Sequence, residues 1–150
     1  MNVLKKAKEK LLSKNLTCVI FDWEKEVFSS RESGIAPVYR LVAADINAVR
    51  GMSLADKVIG RALAVILIKG GIKSCYGQVV SRPALELLTS YGIEVSYGGL
   101  TEQIMNRAGS DLCPMEKLVA DHDPETAFSM IHNTLSGLSA KTSNPASSQS

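Results

Sequence analysis

Ser53 to Gly71 constrains the fold more than any other stretch: Ser-Leu-Ala-Asp-Lys-Val-Ile-Gly-Arg-Ala-Leu-Ala-Val-Ile-Leu-Ile-Lys-Gly-Gly. It reads as one helix buried on nearly every side. Ser53 is placed to cap it, and Asp56, three residues on, stands where a capping-box acid belongs. Gly70 and Gly71 supply a left-handed stop at the far end. At about 100° per residue, Asp56, Lys57, Gly60, Arg61 and Ala64 share one polar or small stripe, and the remainder is apolar. Such a helix has to lie against a sheet and be covered by other elements.

The flanking segments supply that sheet. Residues 2 to 14 form an amphipathic helix, with Val3, Leu4, Ala7, Leu11 and Leu12 on one face and lysines mostly opposite. Leu16 to Trp23 and Glu26 to Ser30 read as a hairpin, and Ile35 to Ala44 as a short helix with Pro37 in its first turn. Asp45 to Met52 is a connection. Ser74 to Val80 is a strand, Ser81 to Tyr91 a helix capped by Ser81, and Ile93 to Tyr97 a further strand. Strands alternating with helices in this order form a parallel sheet with crossover helices. Gly98-Gly99 breaks the pattern, and Thr101 to Asn106 is either a short helix or an edge strand. Cys113 to Asp121 is a helix opened by Pro114, and Asp123-Pro124 opens the last helix, striped by Phe128, Ile131, Leu135 and Leu138. The division is therefore one α/β domain over residues 1–138 and a disordered Ser-rich tail over 139–150.

Composition narrows function mostly by exclusion. A net charge of +2 and an aromatic content of 5% favour neither a nucleic-acid polymer nor an anionic membrane as partner. The longest apolar run, Ala62 to Ile68, is far short of the ~20 residues of a membrane span. Cys18, Cys75 and Cys113 make an odd count without a CxxC pair, and the chain start has no apolar signal core. A cytoplasmic protein is expected. His122 and His132 lie ten apart, without zinc-site spacing, so neither metal nor cofactor is expected.

Two constellations could carry chemistry. The first is the loop Asn106-Arg107-Ala-Gly109-Ser110-Asp111-Leu-Cys113-Pro114-Met-Glu116. A thiol at a helix start is shifted toward thiolate, Gly109 lets the backbone approach a ligand, and Arg107 can clamp an anion. The alternative is that Cys113 only caps the helix and Arg107 pairs with Asp111 or Glu116. The second constellation is Asp56, Lys57 and Arg61. Charges on an apolar element have to be paired or wet, so these either line a cleft or serve as a cap and two snorkelling bases.

The residues also resemble a known family. Asp56-Lys57-Val58-Ile59-Gly60-Arg61-Ala62, Val80-Ser81-Arg82-Pro83-Ala84-Leu85-Glu86-Leu87-Leu88, Gly92 to Tyr97 and, most specifically, Asn106-Arg107 through Cys113-Pro114-Met115-Glu116 are similar to a small prokaryotic domain-of-unknown-function family with a cytidine-deaminase-like fold. The match runs from about Leu16 to Asp121. It implies a three-layer α/β fold whose sheet opens with an antiparallel hairpin and continues through helix-linked parallel strands. A zinc deaminase carries His-x-Glu and Pro-Cys-x-x-Cys at two helix starts. Here those places hold Asp56-Lys57-Val58 and Ser81-Arg82-Pro83-Ala84, without thiolate or imidazole.

These readings converge on a protein that binds a small anionic or nucleotide-like ligand at the sheet edge, enzymatically or not. The candidate catalytic residues are Cys113, Asp56 and Lys57. The candidate ligand-binding residues are Ser81, Asn106, Arg107, Gly109 and Glu116. The alternative is a non-catalytic protein-interaction module, and a homodimer is left open.

Overall fold

The structure is a computed structural model that describes residues 3–106 and 108–143, with side chains through residue 136. In chain order the elements are α1 (Val3–Ser13), β1 (Cys18–Asp22), β2 (Lys25–Ser30), α2 (Ala36–Ala44), β3 (Ser53–Ile59), α3 (Arg61–Gly70), β4 (Ser74–Ser81), α4 (Arg82–Ser90), β5 (Glu94–Thr101), α5 (Pro114–Val119) and α6 (Pro124–Ser143). The five strands form one open sheet in the order β2-β1-β3-β4-β5. β1 runs antiparallel to both β2 and β3, while β3, β4 and β5 are parallel.

The hairpin closes on Trp23 and Glu24, with Asp22 opposite Lys25. Trp23 takes the left-handed φ of 57° that a two-residue hairpin turn needs, in place of the usual Gly or Asn. The register slips between Ile20 and Phe21, a bulge that bends the outer strand of the pair.

The expected helix over Ser53 to Gly71 is corrected. Its first seven residues are the central strand β3, and only Arg61–Gly70 is helical. Ser53 therefore caps nothing; its hydroxyl is buried against that of Ser74 on β4 at 2.8 Å. The second half keeps the expected character: Ala62 through Leu67 are all buried, and Gly71 ends α3 at a φ of 72°. Gly98-Gly99 does not end β5, which runs on to Thr101. A Cβ on Gly98 would lie 2.9 Å from the Gln78 carbonyl oxygen, so glycine lets β5 stay paired to β4 there. Thr101 to Asn106 is not a helix, and among the described residues beyond β5 only Met105 and Leu112 pair, as an isolated bridge.

Strand alternation divides the core in two. Val19, Phe21, Ala55 and Tyr76 meet Leu4, Ala7 and Leu11 of α1 on one face. Cys18, Ile20, Leu54, Cys75 and Val80 face a larger cluster built on α3 and closed by residues of α2, α4, α5 and α6. α6 continues helically to Ser143, past Ser139, and residues 144–150 lie outside the described part. No helix among the described residues is long and apolar enough to cross a membrane.

Candidate functional site

β3 ends at Ile59, Gly60 turns the chain, and α3 starts at Arg61. The carboxyl ends of parallel strands are where an open α/β sheet leaves a crevice. A pocket of about 280 Å³ lies here, lined by Thr17, Gly34, Ile35, Asp56, Lys57, Val58, Gly60, Leu63, Ile104, Cys113, Met115 and Glu116 among others. Asp56, Lys57, Cys113 and Glu116, distant in sequence, are thereby brought together.

Asp56 is 7% exposed and sits opposite Cys18 in the β1–β3 ladder. Burial pushes its carboxyl up to about 7, against the opposing help of the Val58 amide, the Cys18 thiol and the Lys57 amide. The Val58 N–H donates to Oδ1 at 3.1 Å. Burial and then the Asp56 charge hold the Cys18 thiol well above its ordinary range. The same two causes push Cys75 to about 12. Lys57 donates from Nζ to Asn15 Oδ1 at 3.2 Å, at the loop after α1.

Glu116 is held by amides of the chain itself. Its two carboxylate oxygens accept the Arg61 and Ala62 amides at 2.8 and 2.9 Å. A carboxylate of the chain itself thus occupies the anion-attracting start of α3. The Arg61 side chain answers in the other direction, donating to the carbonyls of Val119 at 3.4 Å and His122 at 2.8 Å. A Cβ on Gly60 would meet the Glu116 carboxylate at 2.7 Å, so a side chain there would have to push that carboxylate from its present place. Sequence reading singled out Glu116 as a ligand contact; its partners lie 55 and 54 residues away, and no local spacing signals them.

Cys113 precedes α5 with φ −54° and ψ 135°, half-buried, and its sulfur makes no capping bond. Its amide donates to Ile104 O at 2.9 Å, which ties the wall of the pocket to the stretch after β5. Cys113 is thus a free thiol on the lining, not a side-chain cap.

The remaining candidates are placed elsewhere. Ser81 is fully buried and accepts the Ala84 amide at 3.2 Å, capping α4 as expected but outside the pocket lining. Asn106 accepts the Ser110 amide at 3.1 Å and shapes the turn in which Gly109 has φ 72°. Both residues build the loop and neither lines the pocket. Arg107 lies outside the described residues. Asp111 pairs with Lys117, an acid–base pair the sequence reading did not consider. Among the described residues no three His, Cys, Asp or Glu side chains group as metal ligands.

A second, larger groove of about 380 Å³ separates α2 from α6. It contains none of the candidate residues. Beside it Tyr39 ties α2 to α6, its hydroxyl lying 2.7 Å from His132 Nδ1 and 3.2 Å from Ser136 Oγ.

Comparison with known proteins fits this geometry. The model of a domain of unknown function, DUF1893, matches residues 6–135. Among solved structures, the crystal structure of the DUF1893 family protein TM1506 from Thermotoga maritima is similar, with a TM-score of 0.81 and 30% identity over 89% of this chain and 90% of that one. No curated protein matches. A family match over most of the chain and a shared fold together establish that this chain belongs to the DUF1893 family.

Proposed function

We propose that the pocket at the carboxyl end of β3 binds a small nucleotide-like molecule, and that the chain is a zinc-free protein of cytidine-deaminase-like architecture. The observation that carries this reading is a buried carboxyl, Asp56, on the wall of a pocket that also holds a free thiol, Cys113. Burying a carboxyl in an apolar sheet is costly, and a ligand that uses it explains its presence. Apolar walls from Ile35, Leu63, Ile104 and Met115 suit a ring. Lys57 is half-exposed on the same lining, and an anionic end of the ligand would draw its amine from Asn15. The antiparallel hairpin followed by parallel, helix-linked strands supports the deaminase-like architecture.

The donor set does not fit zinc. The start of α3 offers Gly60, Arg61 and Ala62 under the Glu116 carboxylate, and the start of α4 offers a Ser81 oxygen bound to its own helix. Zinc needs a cluster of thiolate, imidazole or carboxylate ligands, which these two helix starts do not supply.

The reading is tested by native mass spectrometry of the protein mixed with nucleosides and mononucleotides. A bound species is expected at one per chain, absent from Cys113→Trp, whose indole fills the pocket, and retained by Ala43→Trp in the groove beside α6. Loss of binding in Ala43→Trp alone would move the site to that groove and overturn the reading.

A further inference from the structure

We propose that the pocket takes its ligand by a positively charged nitrogen group of the amidinium class, seated against Asp56. The inference rests on the pocket being a binding site and adds the chemistry of the ligand's inner end.

Two carboxylates, Asp56 and Glu116, and one amine, Lys57, line the pocket. Glu116 is committed to the amides of Arg61 and Ala62. The Lys57 amine is turned to Asn15, and the Arg61 guanidinium to the Val119 and His122 carbonyls. Cys18 from β1, Cys75 from β4 and Lys57 from its own strand interact with Asp56 itself, while Cys113 before α5 and Glu116 within it share the pocket lining. The loop before α2 contributes Ser33, Gly34 and Ile35, none charged. Among the described residues no basic side chain bonds to Asp56.

A buried carboxylate without a counter-charge is unfavourable until something supplies one. Asp56 accepts from the Val58 and Lys57 amides and the Cys18 thiol, none of them charged, which leaves about one of the roughly four lone-pair sites of an ionised carboxyl open. A planar cation of delocalised charge is more weakly hydrated than an ammonium and so suits an apolar pocket in which one such site is open. An apolar ring behind that group would contact Ile35, Leu63 and Met115.

Benzamidinium and its neutral isostere benzamide serve as probes, with protection of Cys113 from iodoacetamide reporting occupancy. At pH 8 benzamidinium should bind at least about tenfold more tightly than benzamide. Its affinity should fall about tenfold per pH unit below about 7, where Asp56 takes up a proton that the cation must displace. Asp56→Asn should abolish both the preference and the pH dependence. Equal binding of the two probes, or a preference that survives Asp56→Asn, overturns the inference. If neither probe protects Cys113 the inference also falls; protection by a nucleoside or nucleotide would then leave the pocket reading standing, and its absence would remove that reading too.

Discussion

A carboxyl on a central strand loses its water when the chain folds, and Asp56 receives only two amides and a thiol in return. Between about pH 4 and 7 the folded chain keeps a proton that the unfolded chain has released. Asp56 therefore lowers stability progressively as pH rises through that window, and by a constant amount above it, with an upper bound of about 4 kcal/mol. Asp56→Asn should be matched to wild type near pH 4 and more stable above pH 7. Urea unfolding at both pH values checks this, and a difference that does not grow with pH would refute it. Cys113 makes the complementary prediction. Half-buried and free, it should be alkylated at neutral pH at least ~100-fold faster than Cys18 and Cys75, which are buried and held protonated. Peptide mapping that shows similar rates would return it to a packing role. Asp56 is legible in the sequence as a charge on an apolar element, and Cys113 as a thiol at a helix start behind a polar loop. Their convergence at the sheet edge is expected from the sequence, but the strand pairing and the return of α5 that bring them together, and the exclusion of Ser81 from the lining, are not legible there.

At the scale of elements, the strand–Gly60–helix junction organises the site. Glu116→Ala strips two charge-assisted bonds from the start of α3 and should cost roughly 3 kcal/mol. Gly60→Ala should cost a similar amount, because its Cβ collides with the same carboxylate. Thermal unfolding of both variants, alone and combined, checks the shared origin. A double loss equal to the sum of the single losses would mean the two residues act independently. This junction is also where sequence reading failed. β3 is covered on both faces over Ser53–Asp56, so its burial shows no period of two. Leu54, Ala55, Asp56 and Lys57 are tolerable in a helix, and the helix beyond them is unmistakable. The one local signal was Gly60, which breaks the stretch where strand gives way to helix. By contrast α1, the β1–β2 hairpin, α2 and α4 were legible, since each carries a clear period or a Pro or Ser at its start.

The whole molecule is a sheet between unequal layers. α1 alone covers one face, whereas α3 on the other is enclosed by its neighbours, with α6 across it. Ala127 and Ile131 of α6 are fully buried in that larger core. Ile131→Ala should therefore cost about 3 kcal/mol, as for a core residue rather than an appended helix. A loss below about 1 kcal/mol in chemical denaturation would show that α6 is dispensable. The layered plan was legible from the order of strands and helices. The depth of α6 in the core was signalled only by its stripe of Phe128, Ile131 and Leu135.

The account stands on the pocket beside β3 being the place where this protein meets a ligand. The most direct test follows the alkylation rate of Cys113 in the folded wild-type protein, with and without a mixture of nucleosides and mononucleotides. The account predicts a saturable slowing of at least about tenfold at Cys113, with stability and the protection of Cys18 and Cys75 unchanged. A Cys113 rate that stays constant across the mixture would contradict it.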